Sequence, residues 1–399
     1  MVPDPTDDDA DRTTPTDDRI PVTVVSGYLG AGKTTLVNHL LRNPGDRRVA
    51  VVVNDMGEVN IDAELIASEA GEDGVVDLSN GCICCRLQGD LVESVERLAE
   101  ERSFDYLLVE ASGISEPVPI ARAFVEGTAE SDVDPTERFR LDTMVSVVDA
   151  YGFWKEFDAG ASLPADHDPE RSLADVIVEG IEFCDVLLLN KCDLVPEEAL
   201  DEIEGFVREL GPRAELHRTT HSEVDPGDVL DTGRFDFERA MRDVGWKRHL
   251  RGEAEEARET AGEHDDGDQA HDHDHTHGHD HSAAERHGVS SVVYERAEPF
   301  HPERFADWLD DWSGDIIRAK GFFAVLGRED EVMGLSQAGP SVQAGPIGEW
   351  SEDEPETRLV FIGRGLDEET LSAALDDCLA TDDERRAGAE AVADPFPIG

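Results

Sequence analysis

Short, nearly continuous apolar runs recur along the first half of the chain. Strands that are buried on both faces of a sheet show this pattern, especially when they are rich in β-branched residues. The runs are Ile20–Ser26, Val49–Asn54, Tyr106–Glu110, Met144–Asp149 and Val186–Asn190. Amphipathic stretches such as Leu36–Leu41 and Leu91–Glu101 lie between several of them and predict helices. The alternation predicts an α/β domain with a mostly parallel sheet.

The same pattern divides the chain into segments, and a length of 399 residues fits two or three domains of about 150 residues. After a His- and Asp-rich stretch, an alternating run at Val289–Glu295 and helix-like runs at His301–Trp312 and Asp367–Ala380 predict a small α+β domain. The expected segments are a disordered acidic tail (1–19), the α/β domain (20–245), a linker (246–287), the α+β domain (288–381) and a flexible tail (382–399).

The charge balance excludes several classes of protein. Lys and Arg number 35 against 92 Asp and Glu, a net charge of −57. Such a surface repels a phosphate backbone, so we expect no nucleic-acid binding. No run approaches the roughly 20 apolar residues of a membrane span, and the N-terminus lacks a signal pattern, so we expect a cytoplasmic protein. Adaptation to a salt-rich cytosol, as in haloarchaea, explains the acidity better than an acidic interaction surface.

A glycine-rich motif follows the first predicted strand directly. Residues 27–34 match G-x-x-x-x-G-K-[ST], a loop whose N–H groups face phosphate oxygens at the start of a helix. In such a loop Lys33 reaches the β and γ phosphates, and the Thr34 hydroxyl is placed to bind Mg²⁺. The predicted nucleotide-binding residues here are Gly27, Gly30, Ala31, Gly32, Lys33, Thr34 and Thr35.

Two later motifs complete a predicted GTP site. The strand Tyr106–Glu110 ends in a carboxylate that can hold Mg²⁺, and Gly113 follows it with an N–H near the γ phosphate. Lys33, Thr34 and Glu110 are the predicted catalytic residues. After the strand Val186–Asn190 comes an N-K-x-D motif formed by Asn190, Lys191 and Asp193. A carboxylate at Asp193 can accept from two guanine N–H groups that adenine lacks, so the motif predicts GTP.

Three of the six cysteines crowd into one loop, at Cys82, Cys84 and Cys85. In a reducing cytosol, crowded thiols indicate a metal site or a redox site. Thiolates favour soft or borderline ions such as Zn²⁺, and a three-cysteine loop lacks the fourth ligand of structural zinc. An open site suits a metal that must leave again. A redox pair and inert packed cysteines remain alternatives. The other three cysteines are expected to be core or incidental residues.

Further candidate metal ligands lie outside this loop. Glu58 follows the second strand and could bind the metal or respond to the γ phosphate; the alternative is a solvated loop acid. Eight of the fourteen histidines fall between His264 and His287. Imidazoles at this density could concentrate Zn²⁺, Ni²⁺ or Co²⁺ weakly, although a solvated linker would look the same. The alternating members of this histidine run are His271, His273, His275, His277, His279 and His281.

Taken together, these motifs resemble the CobW family of GTPases, relatives of the nickel-insertion GTPases for hydrogenase and urease. The resemblance covers about residues 20–380. Two departures occur, with Ala111 where the family usually has Thr or Ser after Glu110, and Asp55-Met56 where it usually has Glu-Phe. The stretches that carry the resemblance are 26–35, 54–63, 81–85, 110–113, 190–193, the His-rich connector, Pro299–Phe305 and Arg318–Phe323.

The resemblance implies a P-loop GTPase domain, a CobW C-terminal domain and GTP-dependent delivery of a transition metal, usually zinc. Our hypothesis is a slow GTPase whose nucleotide state sets its affinity for Zn²⁺ or Co²⁺. No side chain is an evident water-positioning base, so we expect full activity to need a partner or a GTP-dependent homodimer. The client metalloprotein is unknown. The alternatives are a cobalt-delivery protein for cobalamin biosynthesis, a non-catalytic metal buffer or sensor, and a thiol oxidoreductase.

Overall fold

The structure of the protein is a computed structural model. It describes residues 17–53, 75–77, 87–113, 115–129, 131, 133–157, 173–242, 289–310, 315–339, 341–350, 355–387 and 393–397. The described residues form two sheets, one in each half of the chain. No described helix combines the length and the apolar character that crossing a bilayer requires.

The first half is built on a seven-stranded sheet in the order β3-β2-β4-β1-β5-β6-β7, and every pairing within it is parallel. All carboxyl ends of the strands therefore meet at one edge. β1 lies between β4 and β5, so the loop that follows β1 emerges beside the ends of both neighbours. The strands are β1 (Ile20–Ser26), β2 (Val49–Val53), β3 (Val75–Asp77), β4 (Tyr106–Glu110), β5 (Phe139–Asp149), β6 (Val186–Asn190) and β7 (Glu215–Arg218).

Helices cover both faces of this sheet, as continuously apolar strands require. On β1, Val22 and Val24 pack into one hydrophobic layer and Val25 into the opposite one, where Leu36 and Leu40 of the first helix also pack. The helices are α1 (Lys33–Arg42), α2 (Leu87–Glu101), α3 (Pro117–Glu126), α4 (Ala150–Phe157), α5 (Leu173–Phe183), α6 (Glu197–Leu210) and α7 (Phe237–Arg242).

The second half is an antiparallel sheet in the order β11-β10-β9-β12-β8. Its side chains alternate between two faces, so that Leu359 and Phe361 pack under helices α8 and α9 while Val360 and Ile362 face the first domain. The strands are β8 (Val289–Arg296), β9 (Ile316–Phe323), β10 (Glu331–Ala338), β11 (Ser341–Glu349) and β12 (Thr357–Arg364), and the helices are α8 (Pro302–Asp310), α9 (Glu368–Asp376) and α10 (Asp382–Ala387).

The two domains share one hydrophobic cluster. It joins α5 and α6 of the first domain to the sheet of the second, which contributes Val289, Ile317, Ala338, Val360 and Ile362. At its edge the Arg318 guanidinium forms a two-point ion pair with Glu182 of α5, with Nε–Oε1 2.9 Å and Nη2–Oε2 3.1 Å. Arg318 is 1% exposed and Glu182 8% exposed. The domains are therefore packed as one core.

The five strand runs predicted in the first domain are confirmed, and β5 begins earlier than expected, at Phe139. The α/β and α+β classes are also confirmed. The flexible tail expected from residue 382 is wrong for the described part of that segment. Residues 382–387 form α10, and Phe396 is buried against Phe305 and Phe323. One aromatic ring in a short segment of acidic and small residues gives too little periodicity to predict this contact.

Replacing Phe396 with alanine is expected to lower the free energy of unfolding by about 3 kcal/mol, the usual cost of truncating a buried phenylalanine. The segment is held by Arg328, which donates to the carbonyls of Phe396 and Pro397 at 2.9 and 2.8 Å and pairs with Asp394 at 2.6 Å. Denaturant unfolding measures the effect, and Asp394→Ala is the control, with a loss below about 1 kcal/mol. Equal losses from the two variants would contradict burial of the ring.

Candidate functional site

The loop after β1 curls where its sequence has glycine. Gly27 has φ +135°, and a Cβ there would lie 2.2 Å from the carbonyl oxygen of Val147 on β5. Gly32 has φ +112°, and a Cβ there would lie 2.4 Å from Asn190 Nδ2 and 2.7 Å from Ser222 Oγ. Both positions need a residue without a side chain. The motif therefore packs directly against the ends of β5 and β6.

Helix α1 begins with its first turn open to an anion. Gly32 is the N-cap residue and supplies no side chain to the first N–H groups, and the first turn contains no acidic residue in a chain that has 92 of them. The positive end of the helix dipole and the N–H groups of a first turn suit a phosphate. Lys33 is 7% exposed, and its ammonium donates to the carbonyl of Tyr28 across the loop at 3.2 Å. Ala31 is buried and Thr35 is exposed.

The carboxylate that ends β4 lies beside this turn. The Thr34 hydroxyl donates to Glu110 Oε1 at 2.7 Å, and Glu110 is 2% exposed. Alcohol and carboxylate oxygens are ligands that suit Mg²⁺, so this pair fits that ion. Gly113 lies against the loop, because a Cβ there would be 2.7 Å from the Leu29 nitrogen. The structure thus brings together the three residues that we predicted to be catalytic.

The end of β6 is tied to the same loop through Asn190. Its Nδ2 donates to the carbonyl of Ala31 at 2.8 Å, and its Oδ1 accepts from the Ser222 N–H at 2.8 Å and from the Thr219 hydroxyl at 3.2 Å. The Ser222 hydroxyl donates in turn to the carbonyl of Gly32 at 3.0 Å. The loops expected to contact phosphate and base therefore hold each other in place.

The other two residues of the N-K-x-D motif differ in their surroundings. Lys191 has a left-handed backbone with φ +62°, and its ammonium forms a 2.6 Å ion pair with Asp149 at the end of β5. Asp193 is exposed in the short 3-10 turn Cys192–Leu194. Among the described residues, none donates a hydrogen bond to its carboxylate.

Sequence reasoning missed three residues of this edge: Asp149, Thr219 and Ser222. Asp149 ends a strand that was correctly predicted, so the rule that ligands bind at the carboxyl ends of parallel strands could have found it. Thr219 and Ser222 follow β7, whose sequence Glu-Leu-His-Arg has no apolar run to mark it as a strand.

The predicted metal ligands Cys82, Cys84, Cys85 and Glu58 lie outside the described residues, as does the run His271–His281. Within the described ranges, no group of three or more His, Cys, Asp or Glu residues could hold a metal ion. The metal site therefore stays a prediction, and it depends on the cysteine loop.

The remaining cysteines are poor nucleophiles. Burial raises the pKa of the Cys184 thiol to about 12 and that of Cys378 to about 11, and it also raises the pKa of Cys192. Among these three, Cys184 and Cys378 are buried and all are free thiols. The expectation that these cysteines are core or incidental agrees with this environment.

Alkylation of the metal-free native protein at pH 8 is expected to modify cysteines of the set Cys82, Cys84 and Cys85 first, since only the thiolate reacts. The three thiols with raised pKa should react at least about tenfold more slowly, and at comparable rates only after unfolding. Mass spectrometry of time points measures this order, with guanidinium-unfolded protein as the control. Fast native labelling at Cys184 or Cys378 would contradict it.

Two protein families match the chain. Residues 21–218 match the family described as "CobW/HypB/UreG, nucleotide-binding domain", and residues 289–379 match "Cobalamin synthesis protein cobW C-terminal domain". The matched ranges contain the strands of the two sheets and most of their helices, and they leave out α7 and α10.

Similar proteins extend over nearly the whole chain. It is 36% identical to "Zinc-regulated GTPase metalloprotein activator 1" of Dictyostelium discoideum, over 93% of this chain and 82% of that protein. It is 28% identical to "Zinc chaperone CobW" of Sinorhizobium sp, over 90% and 96% of the two chains. With "Zinc chaperone CobW" of Pseudomonas aeruginosa it shares 30% identity over 91% and 92%. Because both domains match and these relatives align with nine tenths or more of the chain, this protein belongs to the CobW family.

Proposed function

We propose that this protein hydrolyses GTP and uses its nucleotide state to bind and deliver a transition metal, most readily zinc. The observation that carries the proposal is the meeting of Thr34, Glu110 and Lys33 at the open first turn of α1. The names of the relatives, zinc chaperone and zinc-regulated GTPase, support zinc as the metal. We expect the protein to act in the cytoplasm.

The N-K-x-D motif, which we expect to contact the nucleotide base, supports GTP as the nucleotide. The Asp193 carboxylate is exposed and can accept from the N1–H and the exocyclic amine of guanine, whereas adenine offers no such pair. Asn190 is bonded to Ala31 and thereby sets the distance between this carboxylate and the phosphate loop.

Hydrolysis in this proposal depends on positioned charge. The Lys33 ammonium and the N–H groups of the α1 first turn stabilise the negative charge that develops on the phosphates. Thr34 and Glu110 would hold Mg²⁺, which would supply positive charge to balance the phosphates. The sequence offers no evident base for the attacking water, so we propose slow intrinsic turnover that rises with a partner or with a GTP-dependent homodimer.

Delivery requires that metal affinity differ between the GTP and GDP states, because otherwise hydrolysis cannot drive transfer. We propose Cys82, Cys84 and Cys85 as the metal ligands, with Glu58 as a further one. Thiolates and an open coordination position suit a zinc cargo that must leave. The run His271–His281 would add weak accessory binding.

The test is a chelator competition for Zn²⁺ and Co²⁺, without oxygen and in molar KCl, with GDP and with a non-hydrolysable GTP analogue. The competition is measured on a variant with residues 271–281 deleted, so that the histidine run adds no background. We expect an affinity difference of at least about tenfold between the two states, lost in Cys84→Ala. Equal affinities in the two nucleotide states would contradict the delivery mechanism. Turnover of GTP but not ATP, measured by phosphate release, tests the enzyme separately.

Cobalt delivery for cobalamin biosynthesis is the second candidate. The C-terminal domain matches a family named for cobalamin synthesis, which favours this reading. A tighter nucleotide-dependent site for Co²⁺ than for Zn²⁺ in the same competition would select it. A metal buffer or sensor would instead show background GTP turnover, unchanged by metal.

We also propose that the acidity is an adaptation to high salt. With a net charge of −57, the acidic side chains repel one another in dilute buffer. About 1 M salt shortens the Debye length to roughly 3 Å and screens this repulsion. The melting temperature should therefore rise by about 10 °C or more between low salt and molar KCl. Calorimetry across a KCl series measures this rise, and a flat series would contradict the proposal.

A further inference from the structure

The carboxylate of Asp149, at the end of β5, joins the N-K-x-D motif to the start of α4. Its Oδ2 forms the 2.6 Å ion pair with Lys191, and its Oδ1 accepts from the N–H groups of Tyr151 and Gly152 at 3.0 and 3.1 Å. A Cβ on Gly152 would lie 3.3 Å from this carboxylate, so the glycine leaves room for its close approach. The start of α4 therefore fixes where Asp149 points.

Lys191 needs such an anchor. Its left-handed backbone is one that residues other than glycine rarely adopt, and such conformations persist where several contacts impose them. The loop is further closed by the Leu194 N–H, which donates to the Lys191 carbonyl at 3.0 Å, and by the Cys192 N–H, which donates to the Thr219 carbonyl at 3.2 Å. The ion pair with Asp149 adds the side-chain contact that directs the ammonium towards β5.

That direction matters because Asp193 is only two residues away. A lysine ammonium on a flexible stem reaches a neighbouring carboxylate easily, and an ion pair with Asp193 would occupy the oxygens that we propose to read guanine. Both partners of the Lys191–Asp149 pair are about a quarter to a third exposed, at 32% and 26%. A pair this exposed adds little to folding stability, so its removal acts chiefly on the loop.

We propose that Asp149 is a positioning residue for guanine specificity, which holds Lys191 away from Asp193 and keeps that carboxylate available to the base. The inference rests on the proposed GTP function and deepens it. Asp149 does not touch the nucleotide in this account and acts through Lys191.

Asp149→Asn is the decisive variant, because the amide oxygen still accepts from the start of α4 while the negative charge is lost. We expect fluorescently labelled GDP to bind about tenfold more weakly, the size of one charge-assisted contact. Labelled ADP, which is held through its phosphates, should change by less than about twofold. The matched control is Asp105→Asn, which removes an exposed carboxylate paired with Arg48 at 3.0 Å before β4, at the opposite edge of the sheet.

A double variant separates positioning from support of the loop. Lys191→Met removes the competing charge but keeps an unbranched apolar stem. Asp149→Asn in that background should therefore cost less than about twofold in GDP affinity. Parallel losses for GDP and ADP, or a full loss in the Lys191→Met background, would overturn the inference and leave the proposed GTP function standing. A wild-type protein that binds GDP no better than ADP would overturn both.

Discussion

Replacing Arg318 with alanine is expected to lower the free energy of unfolding by about 4 kcal/mol. The guanidinium is almost completely buried between the domains, and besides Glu182 it contacts Gln337 and Ser336, donating to the carbonyl and the hydroxyl at 3.1 and 3.2 Å. Without it, the Glu182 carboxylate stays in the interface with no cation to balance it. Denaturant unfolding in molar KCl, followed by tryptophan fluorescence, measures the loss.

Two controls show whether burial causes this loss. Arg48→Ala removes an arginine whose pair with Asp105 is 63% and 45% exposed, and it should cost less than about 1 kcal/mol. The double variant Glu182→Leu with Arg318→Met replaces the buried pair by apolar side chains and should regain most of the loss. If Arg318→Ala and Arg48→Ala lose equal stability, the interface is not closed in solution.

The contacts between the two domains bear on how the protein unfolds. Glu182 lies at the end of α5, and the chain then passes through Cys184 and Asp185 directly into β6 and Asn190. Asp185 accepts from the Met144 N–H on β5, so this turn is itself anchored to the sheet. Because one hydrophobic cluster contains residues of both domains, they are expected to unfold in a single transition.

The strands that could be predicted from the sequence are those that are buried on both faces, because burial makes nearly every position apolar. β1, β4 and β6 lie inside a parallel sheet and are apolar at almost every position, so periodicity identifies them. β11 is an edge strand with glycine and proline, largely exposed or half-buried, and β3 has three residues. Such strands form because they pair with a neighbouring strand, and that pairing cannot be predicted from the sequence of the segment alone.

The same distinction holds at the site. Gly32, Lys33 and Asn190 belong to motifs in which neighbouring residues determine the chemistry, and the structure brings them together as expected. Ser222 and Asp149 contribute through contacts with residues at least 30 positions away, at Asn190 and Lys191. The order of strands in the sheet makes these contacts. The place of Asp149 at a strand end could be found from the sequence, but the partners of Asp149 and Ser222 could not.

Replacing Gly27 with alanine is expected to lower the free energy of unfolding of the nucleotide-free protein by about 4 kcal/mol. A Cβ at this position would meet the Val147 carbonyl oxygen at 2.2 Å, and a backbone atom of a central strand cannot move aside. The φ of +135° adds strain of about 1–3 kcal/mol to the overpacking cost of similar size.

Gly30→Ala is the matched control, because it also lies in the loop with a positive φ of +74° but has nothing within 4 Å of a Cβ. It should cost about 1 kcal/mol through strain alone. Denaturant unfolding without nucleotide compares the two, and nucleotide affinity is then measured on whichever variant folds. The larger stability loss is therefore expected at Gly27, whereas an effect of Gly30→Ala on nucleotide affinity that exceeds its effect on stability would come from the contact of this loop with phosphate. Equal stability of the two variants would mean that the loop does not pack against β5 as the structure has it.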